Sequence, residues 1–197
     1  MARTRPPDPT PPAVRLFVAL ELPRGARGAL AEWQAEALRG RDDLRAVAPD
    51  ALHVTLAFIG HRPAPEVEPI AAAVRAAVGG LEPARLAATG VCGVPRRRPR
   101  LFAVDLDDPD AHAGAIAAAV AGALSAAGFY EPEKRRFWPH VTVARLKQAE
   151  RRAAAITIPP PADEFTASEV VLLRSHLGRG PARYEPLARI ALEPAHP

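Results

Sequence analysis

Two nearly identical runs stand 87 residues apart in this chain: His53-Val54-Thr55-Leu56-Ala57 and His140-Val141-Thr142-Val143-Ala144. With six histidines and seven threonines among 197 residues, chance supplies roughly 0.2 His-x-Thr pairs, so two copies in the same apolar setting are a repeat. A second echo accompanies the first. Arg15-Leu16-Phe17-Val18-Ala19-Leu20-Glu21-Leu22 returns 85 residues later as Arg100-Leu101-Phe102-Ala103-Val104-Asp105-Leu106. Solenoid repeats have periods of about 20 to 50 residues. A single duplication at a longer offset constrains the chain to two lobes that face each other across a cleft.

Each half reads strand, helix, strand in the same order. Leu30, Trp33, Ala37 and Leu38 carry the helical spacing in the first half, and Ile116, Val120, Ala123 and Leu124 carry it in the second. Beyond His53 the pattern predicts a helix over 64–78 and a strand over 84–92. Beyond His140 it predicts a short helix over 148–154, then strands over 169–176 and 183–192 joined by the turn Gly178-Arg179-Gly180. The fold class is therefore α+β, with two pseudo-symmetric lobes, each a mostly antiparallel sheet with helices on its outer face, and an active-site cleft between them. Residues 1–12 hold five prolines and no apolar periodicity, which predicts a flexible leader. Residues 13–197 then form one bilobal domain, with duplicated halves at about 14–95 and 96–192.

Composition narrows the function classes. A 48% hydrophobic, 24% charged chain of this length suits a soluble globular protein, and no apolar run approaches the roughly 18 residues of a membrane span. Cys92 is the only cysteine, which excludes an intrachain disulfide and a cysteine-based zinc site and fits a cytoplasmic location. The net charge of +4 gathers in part at Arg96-Arg97-Arg98 with Arg100, at Lys134-Arg135-Arg136 and at Arg151-Arg152. Such clusters attract polyanions, and they are equally the solvated faces of an arginine-rich chain whose lysines number only two.

On a strand, His53 and Thr55 share one face while Val54 and Leu56 share the other, and His140 and Thr142 stand likewise against Val141 and Val143. The apolar partners anchor each strand under its helices, and the polar pairs project into the cleft. Two imidazoles facing each other supply a general acid and a general base near neutral pH. Two threonine hydroxyls suit the non-bridging oxygens of a phosphodiester. Two His with two Thr are a poor set of ligands for zinc or a hard divalent cation, so no metal and no cofactor is expected. Phe58 and Trp138 read as packing residues, and His61, His112, His176 and His196 as surface residues. Strand parity turns Arg145 away from the His140 face unless the strand bulges.

These residues resemble the two-histidine (2H) phosphoesterases, in particular the RNA 2',3'-cyclic phosphodiesterases also described as 2'-5' RNA ligases. The resemblance covers Val14 to Leu192 and rests on the run 15–23, on Leu52 to Gly60, on Phe137 to Arg145, and on Val171 to Ser175 with Gly180-Pro181 and Tyr184. It implies a metal-independent hydrolysis of RNA 2',3'-cyclic phosphate ends to 2'-phosphomonoesters. His53 is then the proton donor to the departing 3' oxygen and His140 the proton acceptor from the attacking water. Thr55 and Thr142 hold the phosphate oxygens, Arg145 joins them, and Phe17 either stacks on a base or packs in the core. The near-symmetry of the motifs does not by itself say which histidine is the acid. The 2'-5' ligation of RNA, hydrolysis of a small cyclic-phosphate metabolite, and a nucleotide-binding module without turnover stand as alternatives. Partners reduce to RNA ends bearing a cyclic phosphate, with no membrane and no obligatory protein partner, and a monomer suffices because one chain completes the site.

Overall fold

The computed structural model describes residues 12–147, 153–176 and 182–193. The leader up to residue 11, the helix expected over 148–154 as far as residue 152, the turn at 178–180, and His196 lie outside the described residues; Ala153 and Ala154, which are described, are not helical. Among the described residues nine strands form one sheet: β1 (Ala13–Glu21), β2 (Leu44–Ala46), β3 (His53–Pro63), β4 (Ala84–Val94), β5 (Leu101–Asp107), β6 (His140–Leu146), β7 (Glu164–Ala167), β8 (Glu169–His176) and β9 (Arg183–Ala191). The order is β7-β4-β5-β6-β3-β1-β8-β9, with β2 against β6, and every pairing is antiparallel. Among the described residues three α-helices, α1 (Arg24–Ala37), α2 (Val67–Val78) and α3 (His112–Ala126), accompany it. The expected α+β antiparallel architecture is the one observed.

Helix faces follow the sequence spacing. α2 buries Ile70, Ala71, Val74 and Val78, and α3 buries Ala113, Ile116, Ala117, Val120 and Leu124. Both stripes join the core made by Leu16, Val18 and Leu20 of β1, Val54 of β3, Phe102 and Val104 of β5, and Val141 of β6. Each fully buried aliphatic chain there contributes about 1.5–3 kcal/mol. The opposite face of the central strands is left to the histidines.

The two spatial lobes are not the two halves of the sequence. β4 belongs to the first half yet pairs with β5 and β7, while β8 and β9 of the second half extend the sheet from β1. Each half therefore lends two strands to the other lobe, β2 and β4 from the first and β8 and β9 from the second. Where the lobes meet, β3 and β6 pair through Val54 and Val141 alone.

The structure also shifts the second echo by one residue. Pairing sets Ala19 opposite Thr55 and Glu21 opposite His53, and sets Ala103 opposite Thr142 and Asp105 opposite His140. The equivalent positions of β1 and β5 are thus 84 apart, not the 85 of the Leu-Phe match. Phe102 accordingly joins the helix-side core, whereas Phe17 lies on the cleft side against His53.

Strand exchange makes the halves interdependent. Residues 1–95 expressed alone should show no cooperative unfolding transition by circular dichroism, and co-expression with 96–197 should restore one. A cooperative transition in the isolated fragment would contradict the exchanged arrangement.

Candidate active site

His53 and His140 open the two strands that meet at the Val54–Val141 pair. Carrying that antiparallel register one residue either way sets His53 across from Thr142 and Thr55 across from His140. The pseudo-two-fold axis passes through the valines, with one histidine and one threonine on each side of it.

Each imidazole is tied down in the same way. His53 Nδ1 donates to the carbonyl of Ala51 at 2.8 Å, and His140 Nδ1 donates to the carbonyl of Trp138 at 2.8 Å. A carbonyl oxygen can only accept, so Nδ1 carries hydrogen in both rings. Nε2 is then the atom that gains or loses the working proton. In His53 that atom accepts the Thr55 hydroxyl at 3.1 Å.

The surroundings of the two rings differ. His53 is flanked by Phe17 at 4.9 Å and met edge-on by Tyr184 at 5.3 Å, and Phe17 in turn stacks on Phe58 at 5.5 Å. Burial of the ring among these aromatics drives its pKa down to about 4, and the positive charges of His140 and Arg145 push the same way against the Ala51 hydrogen bond. His53 is therefore neutral at pH 7 in the unliganded protein. His140 lies at the rim, its face stacked on Trp138 at 3.9 Å and 13°. The Trp138 indole N–H donates to Asp105 at 2.8 Å, and Asp105 stands opposite His140 in the sheet.

Arg145 reaches the cleft face through a bulge. In β6 the pairing with β5 passes from Thr142 to Ala144, leaving Val143 as an extra residue. In β3 the pairing with β1 passes from Thr55 to Ala57, leaving Leu56 as the extra residue. Both strands accordingly bury two residues in succession, Leu56-Ala57 and Val143-Ala144, before the next side chain emerges exposed. That next residue is Phe58 in one strand and Arg145 in the other. The simple alternation that turns Arg145 away is corrected here: the bulge returns it to the side of His140, where its charge acts on His53. The bulged Val143 carbonyl accepts from the Val47 amide at 2.9 Å and from the buried Gln34 side chain at 2.6 Å, and Gln34 also donates to the Val47 carbonyl.

Two further expectations need correction. Phe58 and Trp138, read as packing residues, are 44% and 38% exposed, Phe58 stacking one face on Phe17 and Trp138 one face on His140. Phe17 is 1% exposed, so of its two readings the structure shows a packed ring, one whose contact is His53 itself. His61 and His176 are exposed as expected, the latter bonded to Glu185 at 2.8 Å, while His112 is half-buried on the Pro83 carbonyl. In the sequence Tyr184 stands only as part of the family resemblance, with no role assigned, and Glu21 and Asp105 have none. The two acids were detectable as the residues facing the histidines, but only in the 84-residue register. Among the described residues no group of three or more His, Cys, Asp or Glu is placed to hold a metal ion, and no helix is long and apolar enough to cross a membrane.

The profile of the 2'-5' RNA ligase superfamily matches residues 26–179. The chain is 28% identical to an RNA 2',3'-cyclic phosphodiesterase of Geobacillus stearothermophilus over 180 residues, covering 89% of this chain and 56% of that protein. The chain thus spans little more than half of that relative. It is 29% identical to an RNA 2',3'-cyclic phosphodiesterase of Escherichia coli (strain K12), covering 90% of this chain and 96% of that protein. Among solved structures, E. coli LigT complexed with 3'-AMP superposes with a TM-score of 0.76 at 28% identity, over 92% of this chain and 99% of that one. TT0787 of Thermus thermophilus superposes with a TM-score of 0.77 at 28% identity, over 92% and 100%.

Two outcomes follow from the site's geometry. Gln34→Leu leaves the bulge carbonyl short of a donor and should cost about 1–3 kcal/mol, read as a lower urea midpoint; an unchanged midpoint would deny Gln34 this role. His53, followed by NMR in the free protein, should gain its proton only near pH 4. Its folded pKa lies below the unfolded value of 6.5, so the unfolded chain binds more protons between the two and stability falls as pH drops from 6.5 to 4. A midpoint near 6.5 would remove the burial effect.

Proposed function

The chain belongs to the 2'-5' RNA ligase superfamily, and we propose that it hydrolyses the 2',3'-cyclic phosphate at an RNA end to a 2'-phosphomonoester, without a metal in the chemical step. The observation that carries this reading is the pair of imidazoles with Nδ1 anchored alike and Nε2 free to exchange a proton, set about a pseudo-two-fold axis with a threonine across from each.

In this mechanism the phosphate sits over the Val54–Val141 pair. His140 Nε2 takes a proton from the attacking water, and His53 Nε2–H gives one to the departing 3' oxygen. The hydroxyls of Thr55 and Thr142 and the Arg145 guanidinium bind the non-bridging oxygens, whose negative charge grows in the transition state. Phosphorus gains one P–O bond and loses another, and one proton enters and one leaves through the two rings.

His53 must be protonated to act as the acid, yet the free protein holds it neutral. The substrate itself resolves this. A unit negative charge about 4 Å away, at an effective dielectric near 20, interacts by about 4 kcal/mol, or about three pKa units. That is enough to bring a pKa of about 4 to the neutral range when the phosphate binds. Thr55, which caps Nε2 in the free site, turns to the phosphate as the proton arrives.

RNA is favoured over a small metabolite by where the cations lie. Arg96, Arg97 and Arg98 are exposed on the connection between β4 and β5, and Lys134, Arg135 and Arg136 are exposed just ahead of β6. The two groups stand beyond opposite ends of the strand that carries His140 and Arg145. A cytoplasmic monomer is consistent with this reading, since one chain supplies both motifs.

The reading is tested by incubating the protein, with a chelator present, with an RNA ending in a 2',3'-cyclic phosphate. The expected product carries a 2'-phosphate, and His53→Ala and His140→Ala should each lower kcat by at least about 100-fold with the thermal melt preserved. No product, a strict metal requirement, or near wild-type rates in either variant would sink the paired mechanism. Saturating inorganic phosphate should raise the His53 NMR midpoint by about two to three units; an unchanged midpoint would transfer the acid role to His140.

A further inference from the structure

Beside His53 the sheet opens into a cavity of about 290 Å³ that the chemistry above does not use. Its walls come from β1, β8, β9 and the start of β3, and its floor is apolar, with Ala19, Leu173 and Pro186. Tyr184, edge-on to both His53 and Phe17, forms the side nearest the reacting atoms. The far side is polar. Glu21 holds two guanidinium groups there: Arg27 binds it at 2.9 Å and Arg189 binds its other oxygen. Arg189 also reaches Glu169 at 3.1 Å, and Asp50 lies 3.8 Å from Arg27.

The charges of this wall cancel. Glu21 and Asp50 offset Arg27 and Arg189, so the cavity does not suit a second phosphate; it suits a neutral, flat heterocycle with one hydrogen-bonding edge. Its size is at the low end of small-molecule sites, about 300 Å³, which accommodates one nucleoside and no longer stretch. Its position has a chemical meaning as well. Both bridging oxygens of a 2',3'-cyclic phosphate belong to the terminal ribose, so the base attached to that ribose lies on the side of the histidine that protonates O3'.

We propose that this cavity binds the base of the terminal nucleotide and prefers guanine over adenine, with Arg189 reading its edge. Both carboxylate oxygens of Glu21 are occupied by arginines, so this part of the wall presents donors, with the Asp50 carboxylate exposed beside Arg27. Both hydrogen bonds of Arg189 use Nη1, and its Nε and Nη2 make none among the described residues. A guanidinium edge matches the O6 and N7 acceptors of guanine and meets a donor at the N6 position of adenine. Glu21 and Glu169 fix the guanidinium, as a reading group requires.

The proposal rests on the hydrolytic reading, and the experiment separates the two. The kcat/KM for guanosine and adenosine 2',3'-cyclic phosphates is measured for the wild type, for Arg189→Ala, and for Arg189→Lys, which keeps the ion pairs while losing the fork. The wild type should prefer guanosine by roughly five- to tenfold, carried by KM. Both variants should bring the ratio near one. No guanosine preference in the wild type, or an unchanged ratio in both variants, overturns the proposal. The hydrolytic reading is tested separately on an RNA ending in a 2',3'-cyclic phosphate, and if the wild type hydrolyses neither nucleoside compound, the cavity is judged by binding. Calorimetric binding of guanosine and adenosine 2'-monophosphates to the same three proteins then decides the cavity, with the same ratios expected and the same outcome overturning it.

Discussion

The lobes of this protein touch, strand to strand, through one residue pair, Val54 with Val141, and the site is organised around that contact. Both side chains are fully buried in the helix-side core, which locks the strands face down. Antiparallel pairing then forces the neighbouring histidines and threonines to the other face, arranged diagonally about the contact. Because the pairing stops after one residue, the strands diverge and the space between them becomes the cleft. A longer ladder would close it, and no ladder would let the two imidazoles drift apart. The exchanged strands β4 and β8 hold the lobes against such drift, since each is sequence from one half built into the sheet of the other.

The second organising device is the repeated bulge. At Leu56 and at Val143 one extra residue interrupts the alternation, so both strands place a further functional position on the cleft side. The duplication has filled it differently. Arg145 brings positive charge to one side, and Phe58 brings an aromatic ring to the other, where Arg15 lies over it at 5.0 Å. Gln34 of α1 offsets the cost of the second bulge by donating to its carbonyl. This contact links a buried helix residue to the placement of a cleft cation.

Symmetry in backbone and asymmetry in surroundings together produce the chemistry proposed. Identical Nδ1 anchors make the two histidines interchangeable in geometry. Burial beside Phe17 and Tyr184 then holds one neutral, while the other lies at the rim on Trp138. An acid and a base must differ in proton affinity at one pH; burial lowers that of His53, and in the mechanism proposed the charge of the bound substrate restores it.

Much of this was legible in the chain. The repeated His-x-Thr runs, the apolar alternation that buries Val54 and Val141, and the helical stripes at Leu30 and Ile116 each follow from local side-chain period, which sequence states directly. The order strand, helix, strand in both halves followed too. What tertiary structure alone decided are relations between distant segments: that β4 and β8 change lobes, that Glu21 and Asp105 face the histidines in a register one residue off the visible echo, and that Arg145 points into the cleft. Each of these depends on how strands pair. A pairing register, and a bulge that shifts it by one residue, is set by the packing of neighbouring strands and leaves little mark on the sequence of either one.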